Sequence, residues 1–472
     1  MHKIFYVSWL LLFVCIMFSG CVQTKNPDIE RGSDYNFREG YPDVRLSALG
    51  YLNLQDEAVI EVTTDIGYSS LVFKSADGKD LAVIELAIRV ANLDTGETEN
   101  ILREFEIESE VRPFLLNEQV FTFTEEVLVK PGRFTVAVSV KDTATGREII
   151  RQADAYIPNP DAPENNITAI RLSGKNLDLI NAEFIPITTY DVTAVNDSLR
   201  FEFQVTNNDS ENPLTIISRL LYFPADLRPA LPMSYSNHIP NTLPYKGIDY
   251  RNRRIVDETT RILDQPGSVL IEFKYPLLER GNYRFEVRTV TYDGNELFKA
   301  RDFAIRSENY PTLITARELA EPLIYLMNGR DYEQLMNINN PDSLKEVMDR
   351  FWLSHLGSIR DARDVINLFY TRVEYANKQF TNFKEGWKTD RGMIYILYGA
   401  PWYIESRRNS LIWSYTHNFG DPQRNFQFNR QRSPNEFFPF DHYILARRSE
   451  FHALEHRQRQ IWLSGTIIHR NL

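Results

Sequence analysis

The sequence predicts a multidomain chain: two all-β, immunoglobulin-like sandwiches followed by a C-terminal α+β module in which helices precede a small sheet. Three observations carry this. From Val44 to Ile157, and again from Ile167 to Ile305, apolar residues alternate or fall in short runs broken by Gly and Asp turns. The ending of the first segment recurs in the second. After Pro311 the apolar spacing becomes helical. A length of 472 residues agrees, at roughly 150 residues per domain. The expected boundaries are 1–20 for a signal peptide, 21–43 for a tether, 44–157 for the first sandwich and 158–166 for a linker. The second sandwich takes 167–307, and a helical connector with the final domain takes 308–472.

In the first sandwich, Ala58-Val59-Ile60-Glu61-Val62 alternates and is rich in β-branched residues, as a half-buried strand should be. Leu71-Val72-Phe73 runs into the turn Ala76-Asp77-Gly78, and Leu81 to Val90 ends at Asp94-Thr95-Gly96. The repeat is clearest at the close. Pro131-Gly132-Arg133-Phe134-Thr135-Val136, an Asp142 turn and Ala153-Asp154-Ala155 answer to Arg280-Gly281-Asn282-Tyr283-Arg284-Phe285, an Asp293-Gly294 turn and Ala300-Arg301-Asp302. Each is a hairpin closing a sandwich. Pro158-Asn159-Pro160-Asp161-Ala162-Pro163 reads as a stiff linker between them. Within the second sandwich, Pro224 to Gln265 reads as a long excursion rich in Pro and Tyr, either packed locally or able to capture a ligand.

The first residues are an address. His2-Lys3 precede an apolar run from Ile4 to Phe18, then Ser19-Gly20-Cys21. A basic start, a short apolar core and small residues before a cut site make a secretory signal. Phe18-Ser19-Gly20-Cys21 resembles a bacterial lipobox, which implies lipidation of Cys21. The expected product is anchored through its N-terminal lipid, in the outer membrane and facing the periplasm, because no dense acidic run follows Cys21. Its charge is −12, from 52 basic and 64 acidic residues. Such acidity speaks against a nucleic-acid partner, which needs a basic face. Cys15 and Cys21, the only cysteines, exclude a disulfide framework.

Ala316 to Leu326 opens the helical part. Asn340-Pro341-Asp342-Ser343 starts a second helix, with Pro near its first position. Ile359 to Phe380 forms a third, striped by Val365, Phe369 and Val373. It leads into Gly386-Trp387-Lys388-Thr389-Asp390-Arg391-Gly392, a run of apolar residues from Met393 to Tyr398, and Gly399-Ala400-Pro401. Here the chain resembles the GWxTD-domain family of envelope lipoproteins found in Bacteroidota and related bacteria. Gly386, Trp387, Thr389 and Asp390 match its signature. Arg372 to Asn377 ahead of it, and Ile412-Trp413-Ser414-Tyr415 after it, fit as well. The resemblance covers roughly residues 310–472 and implies an envelope location without naming a reaction.

Read residue by residue, the signature looks like a structural corner. Gly386 would let the chain leave the preceding helix, and Trp387 would anchor the turn. Thr389 and Asp390 would bond backbone N–H groups, and Gly392 would take a positive φ before a strand at Met393–Tyr398. The alternative makes Asp390 an acid, base or ligand, with Arg391 holding an anion and His442 assisting. No neighbouring carboxylate in the sequence completes a glycosidase pair.

From Gly386 onward the chain holds 12 basic and 7 acidic residues, net +5, so the mature body before it is −17. That basic, aromatic end suits an acidic partner, anionic lipid or a glycan. His452 and His456 are four apart, as zinc pairs are, but no third ligand accompanies them, so no metal is expected. No cofactor motif appears, and none is expected. The favoured reading is a lipid-anchored, non-enzymatic interaction or scaffold component whose C-terminal module docks an envelope protein. The alternative is an enzyme or binding protein for envelope glycan or peptide, using a cleft near Asp390.

Overall fold

The computed structural model describes residues 28–469 apart from 32–37, 39, 54, 56, 77–78, 110–119, 160–161, 163, 177–182, 194–195, 210, 236–246, 292–293, 357, 417–424 and 432–439. Cys21, the signal segment and His417 therefore lie outside the described residues.

The first β-rich unit packs two antiparallel sheets face to face. One joins β1 (Val44–Leu52), β2 (Ala58–Gly67) and, further on, β5 (Val120–Leu128). The other joins β3 (Lys79–Asn92), β4 (Thr98–Ser109), β6 (Gly132–Asp142) and β7 (Glu148–Ile157). Alternation decides which side chains meet: Ile84, Leu86, Ile88 and Val90 of β3 point inward with Val136, Val138 and Val140 of β6.

The second unit repeats the plan. β8 (Arg171–Lys175), β9 (Ser198–Asn207) and, later in the chain, β12 (Gly267–Pro276) share one sheet. The other carries β10 (Leu214–Phe223), β11 (Arg254–Leu263), β13 (Gly281–Val290) and β14 (Glu296–Ile305). The core is aromatic, with Phe201 stacked on Phe285 at 4.5 Å. The repeated endings are both hairpins. β6 and β7 pair from Gly132↔Ile157, and β13 and β14 from Gly281↔Ile305.

Two expectations change here. Pro224–Gln265 is not one long loop, because β11 lies within it and pairs along β10. Residues 21–43 are not wholly a tether. Ile29–Glu30 forms a short parallel strand on β14, with Ala300 N–H donating to the Asp28 carbonyl at 2.7 Å.

The C-terminal module begins with α1 (Ala316–Ala320), α2 (Gly329–Met336), α3 (Pro341–His355) and α4 (Ile359–Phe380). Asn340 caps α3 by accepting from Ser343 N–H, and Ser358 caps α4 through Asp361 N–H. α4 buries Ala362, Val365, Phe369, Val373 and Ala376 along one face. Next come α5 (Asp390–Tyr398) and an antiparallel sheet of β15 (Tyr403–Arg407), β16 (Ser410–Ser414), β17 (Asn425–Arg430) and β18 (Tyr443–Leu445), then α6 (Phe451–Leu463).

The run Met393–Tyr398, expected as a strand, is the body of α5. Its six residues are all buried, so the amphipathic period that marks a helix is absent. The helix is specified at its ends, by a Thr389 cap and by Gly399 at φ 85°. Its last carbonyls are met by side chains: Arg372 Nη1 donates to Ile396 O, and Gln458 and Trp462 both donate to Leu397 O.

Candidate functional site

The signature residues surround the start of α5. α4 ends at Phe380, and Gly386 opens a separate 3-10 turn, Gly386–Lys388, rather than closing the helix. Gly386 is required by close approach, since a Cβ there would lie 1.8 Å from the Ala376 carbonyl oxygen. Gly392 does not take a positive φ. It sits inside α5, where a Cβ would lie 2.0 Å from the Gly386 carbonyl oxygen. The two glycines thus let α4, the turn and α5 stack backbone against backbone.

Trp387 is 2% exposed. Its N–H donates to Asn377 Oδ1, its carbonyl accepts from the Tyr325 hydroxyl at 2.8 Å, and its ring meets Tyr325 edge-on. Lys388, the variable position of the signature, pairs with Glu385. Thr389 Oγ1 accepts from Gly392 N–H at 3.0 Å and donates to Gly386 O at 2.7 Å. One hydroxyl therefore caps α5 and closes the turn before it.

Asp390 is buried at the first position of α5. Its Oδ2 accepts from Leu445 N–H at 2.7 Å and from Arg447 Nη1 at 2.8 Å, and its Oδ1 accepts from Arg447 Nη2 at 2.6 Å. Burial opposes its charge, but the Arg447 ion pair and hydrogen bonds, the Leu445 N–H and the charge of Lys384 outweigh it. The carboxyl is held below its usual value. The helix N-terminus favours the same ionised form.

Arg391 does not join Asp390 in holding an anion. Its guanidinium lies over the rings of Phe380, 5.2 Å away, and Tyr443, 4.9 Å away. His442 does come close. Together with Asp390, Arg447, Lys384, Asp226 and Arg228 it lines a cavity of about 90 Å³. It is buried, and its Nδ1 is 3.3 Å from Asn382 Nδ2. Burial, with help from the charge of Lys384, pushes its pKa down to about 3, so the imidazole is neutral. His452 and His456 are exposed on α6, and among the described residues no cluster able to hold a metal is formed.

Three members of this neighbourhood were not singled out from sequence. Arg447 was counted only as part of a basic tail. Lys384 stands two residues before the signature and is 9% exposed. Asp226 arrives from the distant strand connection of the second β unit. That connection, from Pro224 to Tyr235, is strapped across the module. Arg447 donates to the carbonyls of Leu231 and Pro232, Lys384 to that of Arg228, and Ser234 bonds Glu455. On the other side, Arg306 at the end of β14 and Asn282 of β13 donate to the Phe383 carbonyl, and Arg306 also reaches Asn382 O. No local sequence signal announces such contacts.

No curated protein matches the chain. Among solved structures, the crystal structure of red sea bream transglutaminase aligns over 56% of this chain at 10% identity and a TM-score of 0.18. The match spans 31% of that protein. A family match covers residues 286–463 and begins within β13, earlier than the signature alone would place it. The match therefore takes in part of β13, all of β14 and Arg306, which grips residues 382–383, and over residues 286–463 the chain carries a GWxTD domain.

Proposed function

We propose that this is a lipid-anchored envelope component without catalytic activity in its signature, whose C-terminal module docks a protein partner. One observation carries the reading: the signature side chains are consumed by the architecture. Thr389 caps a helix, and Asp390 spends both oxygens on Arg447 and Leu445. A general acid or base needs a carboxyl open to substrate, and this one is buried with both oxygens already bonded.

The contact surface is the β15 edge. Tyr403 and Ile404, on the outermost strand among the described residues, are 54% and 50% exposed, and Trp402 just before it is 58% exposed. Large exposed apolar residues on a sheet edge suit the addition of a strand from another chain. The net charge of +5 from Gly386 onward, the part of the module that carries this sheet, favours an acidic, extended segment. If Cys21 carries lipid, seven residue steps separate it from Asp28, where the chain joins the second β unit. This leaves a reach of about 25 Å at ~3.5 Å per residue, which keeps that unit near the bilayer.

A photo-cross-linking residue at position 404, in cells, tests this. One envelope protein should be captured, and not from position 359, which is 82% exposed but distant in sequence. The captured protein, once purified, should bind the chain and lose at least tenfold in affinity to Ile404→Lys. Equal capture from both positions, or unchanged affinity, would overturn the docking edge.

A further inference from the structure

The cavity beside Asp390 holds a charge imbalance. Asp390 is matched by Arg447, and Asp226 by Arg228, whose Nε lies 2.9 Å from it. His442 is neutral. Lys384 is left over. It is buried, its Nζ donates to the Arg228 carbonyl at 2.8 Å, and among the described residues no carboxylate stands within ion-pair distance. An ammonium has three N–H donors, so one carbonyl does not satisfy it. Burial pulls its pKa down to about 8, against the attraction of Asp390 and Asp226, and it remains mostly charged at neutral pH.

The tautomer of His442 follows from its neighbour. Asn382 Oδ1 accepts from Lys384 N–H, so the Asn382 amide nitrogen faces His442 Nδ1 and donates to it. Nδ1 is then the acceptor, and the imidazole proton sits on Nε2. The cavity wall thus holds an ammonium and an imidazole whose Nδ1 is taken by Asn382, which leaves Nε2–H as its donor, with one net positive charge and room for about three waters' worth of volume. Arg228, with its side chain 73% exposed, stands at the rim.

We propose that this cavity binds a carboxylate group, held by Lys384 Nζ and His442 Nε2–H. A single net charge matches a monoanion. The carboxylates of Asp226 and Asp390 in the wall disfavour a phosphate dianion. The site does not depend on the β15 edge, so either can fail alone. The carboxylate could be a free small acid or the C-terminus of a peptide.

The purified full chain tests this by ligand-observed NMR with acetate, triglycine, triglycine amide and inorganic phosphate. Acetate or triglycine should bind saturably, and the amide should not. Triglycine at least tenfold tighter than acetate identifies a chain terminus as the source, and acetate alone identifies a free acid. Lys384→Met should lose tenfold or more. Because a variant can misfold, the wild type supplies a second readout: acetate should slow reductive methylation of Lys384 but not of Lys130, whose side chain is 76% exposed. Failure of both acids to bind, equal binding of the amide, a preference for phosphate, or no protection of Lys384 would overturn the proposal.

Discussion

Arg447 holds Asp390 with both terminal nitrogens, at 2.8 Å and 2.6 Å, while a second N–H of Nη2 and the Nε–H hold the carbonyls of Leu231 and Pro232. One side chain therefore ties the signature to the strap from the second β unit. Arg447→Ala should release residues 224–235 from the module. Hydrogen exchange there should rise at least tenfold, with β9 and β12 unchanged.

Thr389→Ala removes the α5 cap and should lower stability by about 1–2 kcal/mol in urea unfolding. Thr389→Ser keeps the hydroxyl and should recover most of the loss. Equal losses in the two variants would mean that the methyl group, not the cap, matters.

Gly386→Ala drives a Cβ into the Ala376 carbonyl of α4, and Gly392→Ala drives one into the Gly386 carbonyl of the turn, so each pushes apart the stack of α4, turn and α5. Each should cost more than about 3 kcal/mol or prevent folding. Gly329, which has open space around it, should tolerate alanine within about 0.5 kcal/mol. Mild effects at the first two positions would show that the backbone stack can relax.

His442 makes stability depend on pH. Its folded pKa of about 3 lies below its ordinary 6.5, so below pH 6.5 the unfolded chain takes a proton that the folded chain refuses. Stability is full above that value and falls as pH drops towards 3, by up to about 1.4 kcal/mol per pH unit. Lys384, Asp390, Arg391 and Asp226 keep their charges between pH 6 and 5. Urea midpoints across that interval should fall more steeply for wild type than for His442→Gln, and parallel lines would contradict the assignment.

Much of the fold was legible because period and punctuation are local. The Gly132 and Gly281 hairpins, the Asn340-Pro341 start of α3 and the full span of α4 could all be read from spacing and caps. Met393–Tyr398 misled because a helix buried on every side loses its period, and only Thr389 and Gly399 betray it. The site divided in the same way. The structural reading of Thr389 followed from residue chemistry, whereas Arg447, Lys384 and Asp226 meet Asp390 only through tertiary folding. Arg391, adjacent in sequence, was the natural guess, but the turn of α5 sends it to Phe380 and Tyr443 instead.

The central claim is that Asp390 is a structural clamp, and a double-mutant cycle tests it most directly. Unfolding of wild type, Asp390→Asn, Arg447→Met and the double variant would be compared. Each single change strands a buried partner and should cost about 3–5 kcal/mol, while the double variant should cost little more than either alone. Additive losses, or an Asp390→Asn variant as stable as wild type, would contradict the clamp and return Asp390 to the list of groups kept for chemistry.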